Sequence, residues 1–398
     1  MIKRKLHDRV RYLAGLFPVV TITGPRQSGK TTLCRMVFPE KPYVSLEAPD
    51  TREAAQTDPR GFLAQYPDGA IIDEVQRVPD LLSYVQVKAD ENPSPGRYIL
   101  TGSANFSLLQ SLSQSLAGRT ALVTVFPLSL DEQRLFKSAP ATLFSTLWSG
   151  GFPAVYDRAV PPQEWYAGYT TTYLERDVRQ ILNVTDLAAF QTFLRLCAGR
   201  TAQLLNLSQL GADCGITHNT ARAWLTVLEA GYVAFRLAPY HANISKRLVK
   251  SPKLHFHDSG LLCYLLGIRS PEQLEQHPLR GMVFESWVVS EIVKARSHHG
   301  LPAADLSYYR DRGGSEVDLV LRRGADLLAV EIKSGQTVAS DFFAALDSFA
   351  KALSGDPKQP RPTRLLVYAG DTPQQRSGVA VIPWSSVSDH DWAGPGSA

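Results

Sequence analysis

The alternation of apolar and polar positions divides the chain into three textures. From residue 1 to about 195, short apolar runs (VVTITG at 19–24, AIIDEV at 70–75, RYILTG at 97–102) alternate with helical patterns. That alternation predicts a parallel sheet with crossover helices on both faces. The opening MIKRKLHDRVRYLAGLF reads as an amphipathic first helix, because charges and turn residues break its apolar stretch and no small-residue cleavage site follows. From about 200 to 245 the pattern is compact and helical, closing on the strand-like run YVAFRLAPY. From about 252 it predicts a long helix, a hairpin, a helix and a further strand, TRLLVYAG. The tail after Pro383, rich in Ser, Gly, Asp and Trp, is expected to be loosely held. No internal repeat is found, and the expected domains are 1–195, 196–250 and 251–398.

The hairpin carries the first chemical question. In GSEVDLVL and LLAVEIKSG every second position is apolar, as a strand pair with one wet face requires. A two-residue loop at Gly324-Ala325 sets Val317 against Ile332, Leu319 against Val330, Leu321 against Leu328 and Asp318 against Glu331. A slip by one residue would place apolar against polar throughout, so this register is strongly specified. Directly opposed carboxylates repel unless something neutralises them. Lys333 lies on the same face and neutralises them in part as a surface cluster; a shared divalent ion is the other solution.

Composition narrows the classes. A chain of 398 residues with 44% hydrophobic and 20% charged residues is an ordinary multi-domain globular protein. No apolar run reaches the ~20 residues of a membrane span. Cys34, Cys197, Cys214 and Cys263 lie far apart with no CxxC spacing, which suits free thiols in the cytoplasm. A net charge of +4 permits a nucleic-acid partner without requiring one.

VVTITGPRQSGKTTL is the strongest signal. Gly24, Gly29, Lys30 and Thr31 match GxxxxGK[ST] between a strand and a helix, with Gln27, Ser28 and Thr32 completing the loop. Glycines let successive N–H groups face phosphate oxygens, the helix start adds a favourable dipole, Lys30 reaches the β- and γ-phosphates of ATP, and Thr31 ligates Mg²⁺. GAIIDEVQ supplies the partner acids, Asp73 for the Mg²⁺ shell and Glu74 to orient or deprotonate water. RYILTGSANF ends in Thr101 and Ser103, placed either to contact the γ-phosphate or as an ordinary strand-end turn. Arg119 precedes another strand, where it serves either as an arginine finger in a neighbouring subunit or as a local ion-pair partner.

Taken together, GPRQSGKTTL, IIDEVQ, LTGSANF, SLAGR, FPLSL and GGFPAVY resemble a group of prokaryotic AAA+-like ATPases with an appended C-terminal domain. The resemblance runs over nearly the whole chain. It implies a P-loop core and a sensor 1 role for Thr101 and Ser103, and it leaves the substrate open.

NLSQLGADCGITHNTARAWLTVLEAGYVAFRLAP (206–239) has the rhythm of a winged helix-turn-helix. Thr217, His218, Asn219, Thr220 and Arg222 near the start of its second helix are able to meet phosphates or base edges. Lys246, Arg247, Lys250 and Lys253 add to that basic character, although such modules also serve as protein-binding spacers. The hairpin spacing D-x12-E-x-K is similar to the PD-(D/E)XK nuclease core, with Val317 where that pattern prefers Pro. The resemblance implies Mg²⁺ (with Mn²⁺ as an alternative) on Asp318, Glu331 and a helical acid matched by Glu285, and Lys333 as the residue that positions water. Glu316 and Gln336 stand nearby as assistants, and FESWVVSEIVK (284–294) is expected to bury a Phe284, Trp287, Val288, Ile292 stripe.

The expected molecule is thus an α/β protein: a P-loop NTPase sheet, a winged-helix module and a restriction-endonuclease-like domain. Its expected role is a cytoplasmic, DNA-associated Mg²⁺-dependent ATPase that positions a nuclease-like domain, as a monomer or homo-oligomer. The alternative is an ATP-controlled DNA- or protein-binding switch with that domain kept as an inactive scaffold.

Overall fold

A computed structural model describes residues 2–103, 115–174, 186–240, 251–354 and 360–394. The chain forms two compact units. One comprises Met1–Leu128, Phe152–Asp157 and Ala230–Val233; the other comprises Ser129–Gly151, Arg158–Glu229 and Ala234–Ala398.

The first unit is built on a five-stranded parallel sheet of β1 (Val19–Thr23), β2 (Tyr43–Ser45), β3 (Ile71–Asp73), β4 (Tyr98–Thr101) and β5 (Thr120–Thr124), ordered β2-β3-β4-β1-β5. Every residue of β1 is buried, because helices cover both faces. Val20 and Ile22 meet α1 (Leu6–Ala14) and α2 (Lys30–Val37) in one core, whereas Val19 joins Leu81, Leu82 and Val85 of α3 (Leu81–Glu91) in the other. The α1 stripe Leu6, Val10, Leu13 and Ala14 is the amphipathic pattern expected of the opening segment. Tyr232, brought in by the short return of the chain at 230–233, sets its hydroxyl 3.2 Å from Thr23 Oγ1 and its ring edge-on to Phe126.

The second unit holds an eight-stranded mixed sheet, ordered β12-β13-β11-β10-β9-β8-β6-β7. Its strands are β6 (Ala234–Pro239), β7 (Lys253–Phe256), β8 (Leu306–Arg310), β9 (Glu316–Arg323), β10 (Asp326–Lys333), β11 (Thr363–Tyr368), β12 (Gln374–Arg376) and β13 (Val379–Pro383). Before it come α4 (Leu187–Gly199), α5 (Leu207–Asp213) and α6 (His218–Ala230), with Trp224 edge-on to Phe190 and Phe193 at 5.4 Å. The α6 start is capped by Thr217, whose Oγ1 accepts the Thr220 N–H at 3.1 Å. The strand after α6 pairs with both β7 and β8, so it joins the hairpin in one continuous sheet.

The predicted hairpin register is observed: Leu319 pairs with Val330 and Leu321 with Leu328 around Gly324-Ala325. The ladder then stops. The expected Asp318–Glu331 and Val317–Ile332 pairs are not formed: Asp318 Oδ2 accepts the Ile332 N–H at 2.8 Å, and Val317 is paired only on its other side, with Tyr309 of β8. The wet face does not exist. Val317, Val320, Leu327 and Ala329 are sealed under Leu346, Phe349 and Leu353 of α8 (Ala344–Ser354), and a bulge in β9 between Val317 and Val320 breaks the simple alternation. The helix α7 (Arg280–His298) is likewise buried nearly all round from Val283 to Arg296, a wider contact than the expected stripe, since it packs on both β7 and β10. As far as residue 394 the tail is anchored and not loose: Trp392 is buried, donates Nε1–H to Val387 O at 2.6 Å, and its carbonyl receives Arg296 Nη1 at 3.1 Å.

Buried Asp258 ties three segments of the second unit together. It accepts from the Leu261 N–H (2.8 Å), the Tyr166 hydroxyl (2.6 Å) and the Gly151 N–H (2.7 Å). A Cβ at Gly150, where φ is +67°, would lie 2.0 Å from that hydroxyl, which explains the first glycine of GGFPAVY. Asp258→Ala leaves those donors without an acceptor and is expected to cost about 3 kcal/mol, read as a lower urea midpoint, with Asp258→Asn retaining part of the loss.

Candidate nucleotide site and a buried carboxylate cluster

The carboxyl ends of β1, β3 and β4 meet at one edge of the first sheet, where β1 lies between β4 and β5. Open α/β sheets bind ligands at such edges. Gly24 leaves β1 at φ +143°, with an imaginary Cβ 2.3 Å from Val125 O, so only glycine lets the chain turn there. The loop runs through exposed Gln27 (φ +59°) to Gly29 (φ +93°) and into α2, where Thr32 is exposed. Arg4 braces it from below by donating to Ser28 O and Phe126 O, both at 2.8 Å.

Lys30 is buried, and its amine donates to Pro25 O at 2.7 Å and Gly24 O at 3.2 Å. Burial pulls it down to about 8, against the opposing charges of Glu74 and Asp73. The buried Ser28 Oγ has no protein partner among the described residues. Thr31 Oγ1 donates to Asp73 Oδ2 at 3.0 Å, and Thr101 donates to Asp73 Oδ1. A third hydroxyl, Tyr43, reaches Asp73 Oδ2 at 2.7 Å, and burial with that bond pushes it up to about 12. Glu74 takes a left-handed backbone (φ +58°), a strained position of the kind found at functional sites. Gln76 Nε2 bridges Glu74 Oε2 at 2.5 Å and Ser103 Oγ at 3.0 Å. Tyr43 and Gln76 were not anticipated: no motif marks Tyr43, and Gln76 sits inside IIDEVQ without a distinguishing spacing.

Arg119 is elsewhere. Its carbonyl accepts the Val19 N–H at the amino-terminal edge of the sheet, and its guanidinium grips Asp90 at 2.5 and 3.0 Å. Residues 104–114, which include the end of LTGSANF, lie outside the described residues.

In the second unit Glu285, Asp318, Glu331 and Lys333 do belong to one electrostatic cluster. Lys333 Nζ pairs with Glu331 Oε1 at 2.5 Å, and the buried Glu331 Oε2 has no partner among the described residues. The dominant cation is a different one. Lys253 Nζ lies 2.8 Å from Glu285 Oε1, 2.5 Å from Glu316 Oε1 and 3.6 Å from Asp318 Oδ1, with only 2% of its side chain exposed. Burial lowers its proton affinity, but the charges of Glu285, Asp318 and Glu316 outweigh that and raise it. Burial, and then the charge of Asp318, push Glu285 and Glu331 each up to about 8. Among the described residues no three His, Cys, Asp or Glu groups are arranged to hold a metal ion. Lys253 is therefore not the surface base expected beside the helix-turn-helix, because it is enclosed by acids. Lys246, Arg247 and Lys250 lie outside the described residues. Gln336 is exposed, and on α6 Thr217, Asn219 and Arg222 are exposed while His218 and Thr220 are half-buried.

Residues 16–133 match an AAA domain, and residues 141–272 and 280–387 match two domains of unknown function (DUF8612 and DUF4143). An uncharacterized protein of Mycobacterium tuberculosis, Rv2008c, is 32% identical over 339 residues, spanning 84% of this chain and 74% of that protein. Its Mycobacterium bovis counterpart matches equally. The chain belongs to their family. In this AAA-domain family member the N-terminal domain is a P-loop ATPase-like domain, in an α/β fold with a second, mixed sheet. Solved structures with partial likeness include a Walker-type ATPase of Pyrococcus abyssi (15% identity, 66% of this chain, 95% of that one, TM-score 0.41) and AMPPCP-bound DnaA of Aquifex aeolicus (14%, 56% and 85%, TM-score 0.25). No helix among the described residues is long and apolar enough to cross a membrane.

The lowered proton affinity of Lys30 has a measurable sign. Between about 8 and the ordinary 10.5 the unfolded chain binds more protons, so stability rises with pH across that window and the full cost is present at pH 7. Lys30→Met is therefore expected to stabilise the nucleotide-free protein at pH 7, by at most about 3 kcal/mol. The gain in urea midpoint should fade as pH passes from 8 to above 10.5.

Proposed function

We propose that this family member is a Mg²⁺-dependent ATPase that works as an ATP-controlled switch on DNA, its C-terminal hairpin domain serving as scaffold and not as a nuclease. The hydrogen bond between Thr31 and Asp73 carries the ATPase half, because it places the loop hydroxyl and the β3 acid side by side at the sheet edge. The Ser28 hydroxyl, which has no partner among the described residues, and the glycine-shaped loop fit phosphate oxygens. Thr31 and Asp73 would hold the Mg²⁺, which neutralises charge on the phosphates. Gly24, Gln27, Ser28, Gly29 and Thr32 supply the cradle, Lys30 turns from Gly24 O and Pro25 O toward the phosphates, and Thr101 and Ser103 stand at the end of β4 as sensors. Glu74, oriented by Gln76, accepts the proton of the attacking water. Arg119, paired with Asp90 at the opposite edge, acts as a finger only in a neighbouring subunit.

The scaffold reading rests on the Lys253 amine among the carboxylates. The DNA reading is supported by the exposed Thr217, Asn219 and Arg222 at the start of α6 and by the net charge of +4. Lys30→Ala should abolish ATP hydrolysis, and Glu74→Gln should bind ATP while hydrolysing it at least ~100-fold more slowly; unchanged turnover in both would refute the ATPase assignment. A fluorescence titration should show DNA binding that weakens with salt and weakens further in Arg222→Ala. Binding that ignores salt and nucleotide would leave a protein partner as the ligand of α6. Linear, nicked and single-stranded DNA should survive Mg²⁺ and Mn²⁺; cutting that disappears in Asp318→Ala and Lys333→Ala would restore Glu285, Asp318, Glu331 and Lys333 as a nuclease site. Solution mass with a non-hydrolysable ATP analogue tests whether subunits assemble so that Arg119 reaches a neighbour.

A further inference from the structure

We infer that the Lys253 ammonium is the resident cation of the C-terminal carboxylate cluster, filling the place a divalent metal would take, so that the native chain binds no metal there. The inference rests on the scaffold reading above and goes further by naming the residue that closes the site. Three carboxylates from two elements converge on one nitrogen: Glu285 from α7, and Glu316 and Asp318 from β9. The Glu285 and Glu316 oxygens touch the ammonium while Asp318 stands off at 3.6 Å, beyond a hydrogen bond, so one positive charge balances acids that do not form the close oxygen shell a divalent ion needs. The stem of Lys253 enters from β7, and its amine lies over the Tyr308 ring, 5.6 Å from the centroid. Nothing about this arrangement belongs to a solvated surface pair, since the lysine side chain is almost wholly enclosed.

The remaining charges are allotted in a way that leaves no room for an ion beside the amine. Lys333 is spent on Glu331 and Arg310 on Glu316, at 2.5 and 2.9 Å. Asp318 Oδ2 is committed to the Ile332 N–H. A divalent ion among the same oxygens would sit within contact range of the ammonium, and like charges at that separation exclude one another in a buried setting. One oxygen, Glu331 Oε2, is buried without a partner among the described residues, so the cluster retains acceptor capacity for a cation once the amine is gone.

Lys253→Met removes the charge and keeps the stem. The variant is expected to melt lower than wild type without metal, and Mn²⁺ should restore the lost stability while leaving the melting of the wild type unchanged. In the absence of nucleotide, Mn²⁺ titration followed by electron paramagnetic resonance should show at least tenfold tighter binding in Lys253→Met than in wild type, and Lys253→Met/Asp318→Asn should lose that gain. Should Lys253→Met fail to fold, Lys253→Met/Glu316→Gln removes one charge of each sign and should show the same gain. Equal Mn²⁺ affinity in wild type and the Lys253 variants overturns the inference. Wild-type Mn²⁺ binding that vanishes in Asp318→Asn also overturns it, and that measurement needs no Lys253 variant. DNA cleavage by the wild type would sink the scaffold reading; absence of both cleavage and a Mn²⁺ gain would sink this inference alone.

Discussion

Taking a carboxylate out of water is expensive unless donors or a countercharge come with it, and that cost organises both compact units. Asp73 is buried under hydroxyls from Thr31, Tyr43 and Thr101, each on a different element. Asp258 is met by two backbone N–H groups and a tyrosine. Glu291 receives the Leu130 N–H and Lys294. The C-terminal cluster is the one place among these where so many acids gather that hydrogen bonds do not suffice, and there the chain threads in a lysine. The elements joined by each acid are those that must stay in register for either sheet edge to keep its shape.

The two sites differ in what their burial achieves. At the phosphate loop the buried groups are short of partners or strained: Ser28 Oγ, the left-handed Glu74, and a lysine held where its charge is disfavoured. A site that carries such tension is prepared for a ligand that relieves it. At the hairpin the acids are paired with Lys253 and Lys333, although burial and the charge of Asp318 still raise the proton affinity of Glu285 and Glu331.

Much of this was legible in the sequence. The glycine spacing, the apolar lead into Asp73 and the alternation of the hairpin each obey a local rule, and the loop, β1, β3, β4 and the 319–330 register follow them. What escaped depends on contacts distant along the chain. The segment KLHF is only four residues long, too short for periodicity to mark as a strand, so Lys253 read as a loose base and not as the centre of the cluster. The alternation in β9 and β10 suggested a wet face because Asp318, Glu331 and Lys333 fall at every second position, and only α8 shows that Val320, Leu327 and Ala329 are covered. Trp392, in a segment of otherwise loop-like composition, holds the tail by packing that no local pattern announces. Tyr43 has no neighbouring signature at all, since its partner Asp73 comes from the adjacent strand.

The return of residues 230–233 to the first unit has an evolutionary consequence. Tyr232 packs on Phe126 and reaches Thr23, the last residue of β1, yet it arrives only after α4, α5 and α6 have been laid down. The nucleotide-binding half is therefore not a cassette that a single recombination point can lift out of the gene. Shuffling of the C-terminal segments among relatives would have to preserve that tyrosine, or replace the packing it provides, before the ATP site could travel.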